Sequence, residues 1–221
     1  NPATRVPLPK GAGKSNNPWS MDELNSFLDV ASEHRLFFFF RLSAFTGARR
    51  GELLALRWSD FDGKSIMITK SRLEVAGVAF EQLSTKGGSN GQRRVILDSE
   101  TIDLFNSHRK RQLQERILIG EHWQDGDFVF TQENGLPLDP GTPSHLFGKM
   151  IKKAGLRNIR LHDLRHLHAT ELLRLGEPLH VVAQRLGHRD AMVTATIYAH
   201  VSNEQDETAS QKFANATKRA I

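Results

Sequence analysis

The hydrophobic pattern of this 221-residue chain changes period several times, and each change predicts a different element. Ser20-Met-Asp-Glu23 has the spacing of a capping box, with a hydroxyl at the first position and a carboxylate three residues on, so a helix is expected to run from there to about Ser32. Leu36 to Phe45 is apolar nearly all round, which predicts a buried helix. Thr46-Gly47 interrupts it, and a helical pattern resumes over Arg50 to Arg57. Beyond Asp62-Gly63 the period shortens to two. Strands are expected at Ser65 to Lys70, Val78 to Leu83 and Arg93 to Leu97, together forming a small three-stranded antiparallel sheet. A polar, glycine-rich turn, Ser84 to Gly91, joins the last two and carries Lys86.

The remainder reads as helix. Asp98 or Ser99 can cap a helix reaching about Ile119, in which the charged stretch His108 to Arg111 reads as a solvated face. After a proline-containing loop with Asn134-Gly135, helical periodicity returns at Thr142 to Ala154, Leu161 to Leu175, Pro178 to Leu186, Ala191 to Val201 and Glu204 to Arg219. Gly155, Gly176 and Gly187 stand where three of these helices should stop. The fold class expected is mainly α with a small antiparallel β-sheet. The first seventeen residues, broken by Pro2, Pro7, Pro9, Gly11 and Gly13, read as a linker. Within it Gly11-Ala-Gly-Lys-Ser15 resembles the end of a phosphate loop, but Leu8 stands where that loop needs its first glycine.

Composition narrows the function classes. Neither the 38% hydrophobic nor the 25% charged fraction suggests disorder, and no apolar run approaches the roughly 18 to 20 residues of a membrane-spanning helix. The chain contains no cysteine, which removes disulfides and thiolate metal sites. With no secretory pattern at its start, a cytoplasmic location is expected. A net charge of +5 favours a polyanionic partner, because Lys and Arg that neutralise phosphates release counterions.

Three separated stretches carry the candidate chemistry: Thr46-Gly-Ala-Arg-Arg-Gly-Glu-Leu53, Leu161-His-Asp-Leu-Arg-His166, and Leu186-Gly-His188 followed ten residues later by Tyr198, the one tyrosine of the chain. His162 and Arg165, three apart on a helix, share a face. Arg49 stands at a glycine-marked break before a helix, where backbone amides and a guanidinium can converge on an anion. A nucleophilic tyrosine needs its phenolate favoured and the attacked phosphate polarised, and two arginines and a histidine would do both.

Taken together, the arginine of Thr-Gly-x-Arg-x-Gly-Glu-Leu, the His-x-Leu-Arg-His box, Leu-Gly-His and Tyr-x-His resemble the tyrosine recombinase (phage integrase) family in identity, order and spacing, over roughly Trp19 to Val201. The resemblance implies a catalytic domain at 18–201, a tail helix at 202–221, and a linker at 1–17 that follows an amino-terminal DNA-binding domain. It implies metal-free and cofactor-free strand exchange on double-stranded DNA through a 3′-phosphotyrosyl intermediate. The active assembly would be a homotetramer on DNA, with a monomer in free solution. Carried over by position, Tyr198 would attack, Arg49 and Arg165 would clamp the phosphate, and His162 would be the general base. His188 would bond a non-bridging oxygen, Lys86 would protonate the leaving 5′-oxygen, and Glu52 would orient the basic groups. Lys70, on a neighbouring strand, is the alternative to Lys86. Asp163 is expected to position its loop and His166 to pack behind the site. His168 and His200 receive no role.

Three other readings stand beside this one. His162 and His166, four apart, could chelate zinc, although no glutamate occupies position 163. A DNA-binding regulator would account for the charge and the helices but not for the tyrosine. A type IB topoisomerase would use a similar constellation for relaxation alone.

Overall fold

The computed structural model describes residues 18–83 and 91–188. The fold is mainly α with small antiparallel β elements: α1 Met21–Ala31, α2 Phe37–Thr46, α3 Arg50–Leu54, β1 Ser65–Ile68, β2 Lys70–Val75, β3 Val78–Leu83, β4 Arg93–Ile96, α4 Ser99–Ile119, α5 Thr142–Lys153, α6 Asp163–Arg174 and α7 Leu179–Leu186. The linker, the Lys86 turn and the segment with Tyr198 and the last two expected helices lie outside the described residues.

The capping box at Ser20 forms as its spacing predicts: the hydroxyl accepts from the Glu23 amide at 3.2 Å, and Glu23 accepts the Ser20 amide at 2.8 Å. From this start α1 turns Leu24, Phe27, Leu28 and Ala31 inward, one helical stripe. The apolar run of α2 is buried on nearly every side and forms the centre of the core. Phe27, Phe40, Phe147 and Trp19 pack on one side of it, with centroids 4.8 to 5.8 Å apart. Phe38, Phe39, Phe105 and Phe130 pack on the other, mostly edge to face.

Gly47 ends α2 in the left-handed region, φ 63°. A Cβ there would also stand 2.5 Å from Leu186 Cδ2 and 2.9 Å from the His168 ring, so both backbone angle and space require glycine. Thr46 braces this turn, donating its hydroxyl to Leu42 O at 2.5 Å and accepting from the Ala48 amide at 3.2 Å. Here α3 is shorter than its pattern suggests, because Arg57 leaves the helix to bridge Phe128 and Trp58–Asp60 winds into a single 3-10 turn. Gly51 on α3 comes so close to β2 that a Cβ would meet Ser71 Oγ at 2.5 Å.

The expected three-stranded sheet is instead two separate ladders. β1 pairs with β4, Ser65 opposite Ile96, while β2 pairs with β3, Lys70 opposite Leu83. The stretch Ser65 to Lys70 does not form one strand; the chain leaves the first ladder at Thr69 and enters a second strand, β2, which alternation alone did not separate from β1. Asp98 caps α4 by accepting from the Thr101 amide at 3.0 Å. His108 is buried on the stripe with Thr101 and Phe105 and not solvated as expected, its Nε2 donating to Val129 O at 2.8 Å. Its Nδ1 accepts from Arg111, and desolvation pushes its pKa down to about 4. α6 starts at Asp163, two residues later than the pattern suggests, with Asp163 accepting from the Arg160 amide at 2.8 Å as a loop-positioning group. Packing of α6 on α2, and of α7 on both α6 and β4, brings the three motif stretches together.

Candidate active site

Arg49 is the N-cap of α3, and its neighbour one turn on, Glu52, faces back toward it. Glu52 accepts the Arg49 amide and guanidinium, both at 2.8 Å. From the other side β4 delivers Arg93, which reaches the same carboxylate at 2.7 and 3.2 Å. The Glu52 side chain is 0% exposed, so burial works to protonate it. The Arg93 hydrogen bond and the charges of Arg93 and Arg49 outweigh that and hold its pKa below the ordinary value.

Arg165 projects from the first turn of α6 and is 3% exposed. It donates Nη1 to Gly47 O at 2.7 Å and Nη2 to Leu186 O at 2.6 Å. Those carbonyls belong to the C-terminal ends of α2 and α7, where unpaired carbonyls carry partial negative charge. A guanidinium has five N–H donors, so these two bonds do not exhaust it. Desolvation, then the charges of Arg49 and Arg93, push the Arg165 pKa down to about 9 against the opposing pull of Glu52. Two guanidinium groups, Arg49 and Arg93, thus bond one buried carboxylate and a third, Arg165, lies in its field, so these four groups together carry an excess of two positive charges, which favours an anion.

The histidines stand at the edge of this field. His188 follows the left-handed Gly187 at the end of α7, its amide bonding Ala183 O at 3.0 Å. Desolvation and the charges of Arg165, Arg49 and Arg93 push its pKa down to about 4. His162, at the N-cap of α6, is exposed at its outer edge and meets the His166 ring at right angles, centroids 5.1 Å apart. Its pKa is lowered by partial desolvation and by the charges of His166, Arg165 and Arg49. At neutral pH both rings are uncharged. A cleft lined by Arg49, Arg50, Ser144, Arg160 and His162 opens beside them.

The fold therefore brings together five of the positions singled out in the sequence: Arg49, Glu52, His162, Arg165 and His188. Lys86 and Tyr198 lie outside the described residues, and Lys70 opens β2 opposite Leu83. Among the described residues no three His, Asp or Glu side chains lie together as a metal site. Sequence reasoning missed Arg93, Arg185 and His168. His168 Nε2 accepts from Arg185 Nε at 3.1 Å, and Arg185 also donates to Ile96 O and Phe45 O. Arg93 was detectable in principle, because it falls in phase with the inward Val95 of its strand.

Comparison with known proteins gives the family. The phage integrase family pattern matches residues 19–205. A tyrosine recombinase XerC-like protein of Caldanaerobacter subterraneus subsp. tengcongensis is 32% identical over 206 residues, covering 86% of this chain and 52% of that protein. The ICEBs1 integrase of Bacillus subtilis is 30% identical over 93% of this chain and 55% of its own length. The crystal structure of XerA recombinase superposes with a TM-score of 0.69 at 27% identity, covering 94% of this chain and 69% of that one. The chain spans about half the length of the curated relatives it matches. On the family pattern and on this similarity, the chain belongs to the phage integrase family.

Proposed function

We propose that this chain supplies the catalytic domain, from about residue 18 to 201, of a site-specific tyrosine recombinase that breaks and rejoins double-stranded DNA. The observation that carries the proposal is the convergence of Arg49, Arg165 and His188 from three distant stretches on one positively charged site beside a cleft. A DNA phosphodiester has the charge that this site is short of. In the proposed step the Tyr198 oxygen attacks phosphorus, its bond to phosphorus forms, and the bond from phosphorus to the 5′-oxygen breaks. The phenolic proton passes to His162, whose lowered pKa leaves it unprotonated at neutral pH. Lys86 gives a proton to the leaving 5′-oxygen. Arg49 and Arg165 hold the charge that grows on the non-bridging oxygens, with a hydrogen bond from His188. Glu52 fixes Arg49 in place for that task.

The covalent phosphotyrosyl bond conserves the energy of the broken linkage, so rejoining needs neither metal nor nucleotide. Residues 1–17 serve as a linker and 202–221 as a tail that docks on its own or a neighbouring subunit, with a homotetramer as the assembly on DNA. The reaction takes place in the cytoplasm, where its DNA is. A nicked suicide duplex, built on a site that the protein selects from a random DNA pool, tests the reading in EDTA. A denaturation-resistant protein–DNA adduct that disappears with Tyr198→Phe is the expected result. Adduct formation by Tyr198→Phe, or none by the full-length protein, overturns it.

A further inference from the structure

Arg93 takes no part in the steps above, yet its side chain ties together several of the groups that do. It is 4% exposed and bonds to three segments at once. Nη2 and Nη1 hold Glu52 at 2.7 and 3.2 Å, Nη1 also reaches Gly91 O at 3.2 Å, and Nε donates to Arg185 O at 2.7 Å. Arg185 lies three residues before His188. Between them Gly187 lies directly under the guanidinium: a Cβ there would stand 2.7 Å from Arg93 Nη1. Glu52 in turn holds Arg49. One side chain rooted on β4 therefore ties together the group that holds Arg49, the turn that presents His188, and Gly91 ahead of its own strand.

We propose that Arg93 is a positioning residue for DNA cleavage, fixing Arg49 and the Gly187–His188 turn in one register although it does not itself touch DNA. This inference rests on the recombinase reading of the site. The demand is for arginine in particular, since the planar fork grips both carboxylate oxygens while Nε points to a third partner. Lysine would restore the charge at a single point only. Supporting groups of this kind change rates by displacing the groups they hold, and a displacement of about 1 Å can cost about 10²-fold.

A role confined to stability would look different, and the surroundings of Glu52 give the distinguishing readout. Among the described residues, the charged groups that face it are Arg49 on its own helix, Arg93 on β4 and Arg165 on α6. β2, packed on α3, turns Ser71 and Leu73 toward the helix and by strand alternation turns Lys70, Arg72 and Glu74 away. Arg41, the charged residue of α2, is engaged with Glu100. Without Arg93, Glu52 keeps one hydrogen-bonded cation, and burial drives it toward the neutral form that grips Arg49 poorly.

The test uses the full-length protein, the suicide duplex described above, cleavage rates at saturating protein, DNA affinity by anisotropy, and melting temperature. Arg93→Lys should fold and bind the duplex with an affinity within about threefold of wild type, while cleaving about 10 to 100 times more slowly. Measured relative to a Glu52→Gln/Arg93→Gln double variant, the cleavage rate of Arg93→Gln should climb with pH as Glu52 ionises. Wild-type cleavage by Arg93→Lys overturns the inference. So does a loss in Arg93→Gln that follows melting temperature alone, with the pH profile of the double variant. If wild type forms no adduct, the recombinase reading fails first and this inference with it.

Discussion

Replacing Glu52 by glutamine changes one atom at the centre of the site and leaves its shape intact. Each carboxylate oxygen accepts two hydrogen bonds, Oε1 from the Arg49 and Arg93 guanidinium groups and Oε2 from the Arg49 amide and Arg93. Whichever way the new amide turns, an NH2 group meets two donors, so two of the four bonds are lost and Arg93 stays buried without a counter-ion. Charged hydrogen bonds contribute about 1.5–3 kcal/mol each, and breaking a buried pair costs about 3–5 kcal/mol. The two figures describe overlapping effects, so the expected loss of stability is about 3–5 kcal/mol. For a domain of this size that lowers the melting temperature by about 6–20 °C. Urea unfolding at pH 7 measures it directly, with an unchanged dependence on denaturant showing that the compactness of the two states is unaltered. The pH profile adds a check of sign. The folded pKa of Glu52 lies below its ordinary 4.5, so its stabilisation is complete above that value and is lost as pH falls through the folded pKa. The difference between wild type and Glu52→Gln should shrink in acid. A loss below about 1 kcal/mol at pH 7, the range of exposed pairs, would refute the argument that this carboxylate organises the site.

Gly47→Ala should destabilise by about 2–4 kcal/mol, combining a left-handed residue with overpacking against Leu186 and His168, and unfolding titrations check it; a neutral effect would mean the turn can shift freely. The His188 ring, followed by NMR, should titrate near pH 4 in free protein and move upward when inorganic phosphate binds, because an anion relieves the surrounding positive charge. A midpoint near 6.5 without phosphate would contradict the crowding described. Since that folded value lies below the unfolded one, His188 should also cost stability as pH falls from about 6.5 toward about 4. Arg165→Ala should reduce adduct formation by about 10²–10³-fold, and cleavage at the wild-type rate would remove it from the phosphate clamp.

Much of this was legible in one sequence because the deciding interactions are local. Ser20 and Glu23 sit at capping-box spacing, the apolar run around Phe38 to Phe40 marks a buried helix, and Gly47 and Gly187 mark helix ends that their positive φ confirms. Arg49, His162, Arg165 and His188 were singled out by motif, and their meeting depends on the packing of α2, α6 and α7. The β region was less legible, since strand alternation gives the facing of residues but not the partner. Nothing in Ser65 to Lys70 says that the chain changes ladders at Thr69. His108 looked solvated among charged neighbours because one residue type near Arg109 and Lys110 suggests a wet face, whereas its phase with Thr101 and Phe105 decides its burial. Arg93 was missed for a related reason. A charged residue on the inward face of a strand needs a distant carboxylate, and no local pattern announces that Glu52, 41 positions earlier, will supply it.

The same distances explain how so much positive charge stays folded. Placing Arg165 at 3% exposure beside Arg49 and Arg93 is unfavourable on desolvation and repulsion together, as its depressed pKa records. The offset comes from backbone: Gly47 O closes α2 and Leu186 O closes α7, so two helix C-termini aim their partial negative charge at one guanidinium. Both ends depend on a left-handed residue, Gly47 in one helix and Gly187 in the other, to turn the chain away and leave those carbonyls directed inward. The glycines of Thr-Gly-x-Arg and Leu-Gly-His thus belong to the electrostatics of the site as much as its arginines do. On the recombinase reading, an arriving phosphate would meet Arg165 already held by two helix ends and Arg49 already held by Glu52, with little rearrangement left to make.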